Sequence, residues 1–278
     1  MKRSHPITTR KLRFYIPQDL PRYWNGNCPI RTHIFNSIAI LAPAFERLAI
    51  SSVLPYKEQA LPACLKTQLQ GFIGQESAHG SEFIRYNRVL KHQGYPIHQL
   101  EKGNLKNFKW LTAKFSNKMH LSLTLAAEHL TAIISDLILR EPALLQGAHP
   151  TCAGIWRWHA IEEIEHKAVA FDVFETLGGG YVTRIFGMWC VTWMIGGLLL
   201  QNFIRLTLTD KIGSLRFWGK CFTLCWGRVG FLRRLVLPYL RYYLPGFHPW
   251  QQDNHKLIQG WKAQFYPNQT LDEIVEKL

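Results

Sequence analysis

The sequence predicts an all-α protein: a four-helix bundle followed by a C-terminal hydrophobic and basic helical extension. Two observations lead there. Most apolar segments follow the helical period, while Val/Ile/Thr alternation over strand lengths is scarce. Long periodic stretches are also separated by Pro- and Gly-containing segments that helices do not easily cross. At 278 residues the chain is long enough to bury a real core and to carry an appendage. The expected division is 1–180 for the bundle and 181–278 for the extension, packing on it.

The first helix is expected over Arg31–Val53, stopping before Pro55. The second runs from about Pro62 to Gln93 and stops at Gly94. "EKGNLKN" reads as a polar linker. The third helix follows from about Asn107 to Arg140, as one piece or as two broken near Ser116. The fourth starts after "HPTCAG" and ends at Gly178–Gly180. Short to moderate connections between four long helices suit a bundle.

Beyond the triple glycine the character changes. Ile185 to Ile204 carries no charge, and as a helix it is long enough to cross a bilayer core. A buried core helix is the alternative. From Arg184 to Arg241 stand nine basic residues (184, 205, 211, 216, 220, 228, 233, 234, 241) against one acid, Asp210, within an overall net charge of +14. They are interleaved with Trp, Tyr, Phe and Leu, as a membrane-surface helix requires. The run is too apolar for a solvated nucleic-acid groove, so no nucleic-acid partner is expected. Six scattered cysteines without a CxxC pair read as reduced thiols. The basic N-terminus has no apolar run behind it and is not read as a secretory signal. The expected location is cytoplasmic, at the inner face of the membrane; a homodimer is left open.

One stretch crowds charge where the chain is otherwise apolar: "WHAIEEIEHKAVAFDVF", Trp158–Phe174. On a helix of roughly 100° per residue, His159, Glu162, Glu163 and His166 share one face, and Glu165 falls about 120° away, toward solvent or a neighbouring helix. Neutral imidazole beside carboxylate suits a first-row transition metal. A single Glu-x-x-His arises often by chance. The second, Glu76-x-x-His79, sits inside another helix with apolar neighbours Phe72, Ile73 and Phe83. Glu46 and Glu128 lie on two further apolar helices. A lone buried carboxylate is costly unless it is paired or bound to metal.

The order is thus Glu46, Glu76-x-x-His79, Glu128, Glu163-x-x-His166. It is the ligand pattern of ferritin-like di-metal carboxylate bundles. The expected ligands of two metal ions per chain, iron or alternatively manganese, are Glu46, Glu76, His79, Glu128, His159, Glu163 and His166. His159 is either a seventh ligand or a partner behind the ligands, and Glu162 is expected to hydrogen-bond a ligating imidazole. His129 is read as structural, and His33, His120, His149 and His248 have no companions that make a site.

"FIGQESAHGSEFIRYN", "WHAIEEIEHKAVAFDVF" and "LPYLRYYLPGFHPW" resemble the bacterial predicted metal-dependent hydrolases, over nearly the whole chain. That resemblance implies metal-dependent hydrolysis. His159-x-x-x-Glu163-x-x-His166 alone is similar to the extra-histidine arrangement of the di-iron arylamine N-oxygenases. The ligand set favours iron and oxidation by dioxygen, and the membrane-directed extension leads to the expectation of a hydrophobic, lipid-like substrate. Hydrolysis of an ester or amide is the alternative, and a non-catalytic metal-binding bundle is the third. No GxSxG, GxGxxG or GxxxxGK is present, which argues against a serine hydrolase and gives nucleotide cofactors no visible home.

Overall fold

The computed structural model describes residues 7–265 except Lys11 and Val229. The described residues are helical, with no strand among them, so the protein is all-α. Four long helices enclose the centre: α1 (Pro29–Val53), α2 (Ala63–His92), α4 (Asn117–Arg140) and α5 (Pro150–His166). Between them lies α3 (Ile97–Thr112), and α5 is followed directly by α6 (Val169–Thr176). The extension supplies α7 (Tyr181–Thr209), α8 (Leu215–Trp226), α9 (Phe231–Arg241) and α10 (His255–Phe265).

Local chemistry sets the helix starts. Pro29 and Pro150 open α1 and α5, where a missing N–H costs nothing. Ser116 caps α4, its Oγ accepting from Met119 N at 3.3 Å. Pro43 lies inside α1 and removes a donor for the Ala39 carbonyl. Asn87 of α2 repairs the loss, its Nδ2 donating to Ala39 O at 2.9 Å. This cross-link lies two turns from Glu46 and fixes α1 against α2.

Two expectations need correction. Residues 101–107 are not a linker but the middle of α3, which begins at Ile97. Ile97, Leu100, Asn104 and Phe108 form its buried stripe, so packing against α1 and α2 overrides Gly103 and the surrounding charges. The fourth helix is also interrupted, ending at His166 with Lys167 as its C-cap before α6 starts at Val169. The Lys167 ammonium donates to Gln252 O at 2.7 Å and Asn254 Oδ1 at 2.5 Å. A distant segment thus holds the lysine at the break.

Helix α7 packs one face on the bundle. Met188, Val191 and Leu198 join the core that contains Phe45, Leu69, Leu125 and Phe174. Approach to α4 is close at Gly187, where an added Cβ would stand 2.2 Å from Ser122 Oγ. Among the described residues, three helical segments are long and apolar enough to cross a membrane by length and composition: 29–56, 117–140 and 181–209. The first two are 72% buried over their most apolar window, the third only 28%. The first two are therefore spent on the bundle interior, while much of the third is left outside it.

Candidate metal centre

In α2 the buried stripe reads Leu69, Phe72, Glu76, His79, Phe83, Tyr86 and Leu90. An ordinary apolar heptad-like seam is thus interrupted at its middle by one carboxylate and one imidazole. The same happens in α1, where Glu46 lies between Ala42 and Ala49, and in α4, where Glu128 lies between Leu125 and Ala132. In α5 the last two turns bring His159, Glu162, Glu163 and His166 inward, all buried.

The side chains form two adjacent ligand groups. Glu46, His79, His159 and Glu163 offer one ligand atom each, all within 4.8 Å of one another, and Glu76, Glu128 and His166 do likewise. Glu163 stands between them. Its Oε1 is 3.3 Å from His79 Nδ1 and 3.5 Å from His159 Nδ1, and its Oε2 is 3.5 Å from His166 Nε2. His166 Nε2 also lies 3.0 Å from Glu76 Oε1 and 3.1 Å from Glu128 Oε2. All seven expected ligands are therefore in one cluster, contributed by all four helices.

A second layer fixes two of the imidazoles, those of His166 and His79. Gln75 donates through Nε2 to Thr8 O and to Glu165 Oε2, both at 3.0 Å. Its Oε1 must then accept, and it lies 2.9 Å from His166 Nδ1. That contact needs a proton on Nδ1 and leaves Nε2 to face the carboxylates. On His79 the roles are exchanged: Nε2 donates to Glu162 Oε2 at 3.0 Å, and Nδ1 faces the cluster. Carboxylate or amide behind a ring nitrogen sets the tautomer a metal ligand needs.

Behind this layer sits Arg10, a buried residue the sequence reading did not single out. It donates to Glu162 Oε1 at 3.0 Å and to both oxygens of Glu165 at 2.8 and 2.9 Å. Glu165 does not face solvent: it is buried, pairs also with Lys262 of α10, and is held below its ordinary carboxylate value. Burial alone would raise it, but hydrogen bonds and charge from Arg10 and then Lys262 outweigh that. His129 packs on Tyr242 and Phe247 and contacts Pro238 O at 3.1 Å. His33 and His248 pair with Asp210 and Asp172, each at 3.0 Å.

The cluster suits metal ions better than it suits itself. Glu46 Oε2, both oxygens of Glu76 and Glu128, Glu163 Oε2, Nδ1 of His79 and His159, and Nε2 of His166 are all buried without a hydrogen-bond partner. Buried polar atoms are rarely left so, and here they are the atoms that converge. Protonation is correspondingly distorted. Burial, then the neighbouring Glu76, raises Glu46 far above a usual carboxylate and Glu128 to about 8. Burial holds His159 down at about 3. Burial would lower His79 too, but Glu162 and Glu163 push it up to about 9. Glu163 stays ionised despite burial because His166 and His159 face it. The metal-free cluster thus shares protons that a bound cation would displace.

Neither the curated proteins nor the solved structures include a match to this sequence. Residues 8–253, from just before Arg10 to the segment that holds Lys167, match one family, and the chain belongs to it: the predicted metal-dependent hydrolases.

Proposed function

We propose that this protein is a di-metal enzyme that oxidises a hydrophobic substrate with dioxygen at the inner, cytoplasmic face of a membrane. The observation that carries the reading is the pair of ligand groups facing across Glu163 in a dry interior. Four carboxylates with three imidazoles form a hard, oxygen-rich donor set, which suits iron first and manganese second. Glu46, His79, His159 and Glu163 would hold one ion, and Glu76, Glu128 and His166 the other, with Glu163 reaching both. Two ferrous ions, kept reduced by an external electron donor, would supply two of the electrons for reduction of dioxygen, the oxidised substrate supplying the other two. Glu162 and Gln75 orient the imidazoles, Arg10 offsets the carboxylates behind them, and the apolar stripes of α2 and α4 exclude water.

A second reading is metal-assisted hydrolysis of an ester or amide, favoured by the description of the family. The ions would then act as Lewis acids. The experiment that separates the two is turnover of the iron-loaded protein, reduced, with and without oxygen. Oxygen uptake stimulated by substrate supports oxidation. Anaerobic turnover with label from isotopic water in the product would replace it with hydrolysis. Tight metal binding with neither activity would leave a non-catalytic bundle.

A further inference from the structure

Outside the centre the largest unexplained feature is the outer face of α7, α8 and α9. Val182, Phe186, Trp189, Trp193, Leu200 and Leu208 form an exposed stripe at helical spacing along α7, with Trp193 69% exposed. Leu215, Phe222 and Trp226 of α8 and Leu232, Leu237 and Leu240 of α9 are likewise exposed. The stripes are continuous, because Leu200, Phe222, Trp226 and Leu232 line one apolar groove between the three helices. An exposed patch of this kind marks a binding surface.

Its charge selects the occupant. Arg205, Arg216, Lys220, Arg228, Arg233 and Arg241 are all exposed within the same segment. The one acid there, Asp210, is half-buried, with its carboxylate turned inward and held by Arg22, Tyr95 and His33. A second copy of this face would bring like charges together. An anionic bilayer meets both halves of the pattern, since apolar side chains enter the acyl region and the basic residues meet headgroups.

We propose that the α7–α9 face docks in the plane of one leaflet of an anionic bilayer without crossing it. The inward side of α7 cannot be given to lipid. Arg184 donates to Leu244 O at 2.7 Å, Ser122 Oγ donates to Thr183 O at 2.8 Å, and Asn202 donates to Ser37 O at 3.2 Å. These bonds run to α1, to α4 and to the segment after α9, and α1 and α4 carry Glu46 and Glu128. A spanning α7 would drag a polar bundle into hydrocarbon or break those bonds. In-plane docking keeps them. The proposal deepens the reading of a membrane-face enzyme but rests on the surface alone, so it can fail while the metal chemistry stands.

The test is co-flotation of the full-length protein with vesicles of phosphatidylcholine, with and without phosphatidylglycerol. Binding should require the anionic lipid, weaken several-fold in high salt, and fall roughly tenfold in Trp189→Ser/Trp193→Ser. Lys220→Glu/Arg233→Glu should lose the preference for phosphatidylglycerol. Both double variants change only exposed side chains, and an unchanged helical circular dichroism spectrum shows that they fold. Binding indifferent to salt, headgroup charge and Lys220→Glu/Arg233→Glu would mean a spanning helix and overturn the proposal. So would a soluble protein that ignores vesicles, whether it forms a dimer through this face or binds nucleic acid instead.

Discussion

Two regions of this molecule break the usual distribution of side chains, in opposite directions. Between α1, α2, α4 and α5, carboxylates and imidazoles are buried with converging atoms left unpaired. On α7, α8 and α9, tryptophan, phenylalanine and leucine stand exposed. Polar groups inside are costly unless something binds them, and large apolar patches outside mark something that covers them. The first arrangement suits a bound cation, and the second suits the lipid surface proposed above. The constraint differs too: in the interior Glu162 and Gln75 hold His79 and His166 from behind, while the exterior face is held only along its inner edge.

That contrast predicts very unequal responses to mutation. Arg10→Ala should be the most damaging single change, at about 3–5 kcal/mol of stability, because it removes the cation shared by the buried Glu162 and Glu165 and leaves Glu165 with Lys262 alone as its cationic partner. Thermal or denaturant unfolding of the metal-loaded protein checks this. Arg10→Ala as stable as wild type would show the interior to be less constrained than the contacts imply.

Metal removal tests the same region from the other side. Chelation should lower stability by about 4 kcal/mol per bound ion relative to protein kept at a thousand-fold excess of metal over its dissociation constant. Calorimetry with and without chelator reads it directly. The joint between the two regions is Asp210, at the C-cap of α7. It accepts from Arg22 Nε at 2.8 Å and from Tyr95 at 2.9 Å and lies beside His33. Burial would raise Asp210, but the Arg22 and Tyr95 hydrogen bonds and then His33 hold it below its ordinary value. Its folded-state value is below the unfolded one, so its contribution is complete above the unfolded value, about 3.9. It is lost as pH falls through the folded value. The stability gap between wild type and Asp210→Asn should be flat near neutrality and close in acid. A gap independent of pH would remove Asp210 as a charged tie. The smallest expected effect belongs to the outer face, where Trp189→Ser/Trp193→Ser should change the stability of the lipid-free protein by no more than about 0.5 kcal/mol.

The all-α class was legible because helical spacing is read directly from apolar periodicity and proline or glycine stops. Much of the cluster was legible for the same reason. A Glu-x-x-His spacing puts both groups on one helical face, and isolated acids on apolar helices stand out. What could not be read depends on tertiary contact. Arg10 lies in an irregular segment more than 150 residues from its partners. Gln75 has no signature that distinguishes a tautomer-fixing amide from a surface one. The break after His166 involves Lys167 and backbone 85 residues away, and α3 forms on a buried stripe that its own composition hides.

Metal content decides whether the buried cluster holds two metal ions. Protein purified without chelators, then analysed for iron and manganese, should carry about two ions per chain, as expected of a bundle with paired Glu-x-x-His helices. His79→Ala and His166→Ala should each lose at least one of them while remaining helical. Folded protein without bound metal, or full occupancy in both variants, would contradict the account.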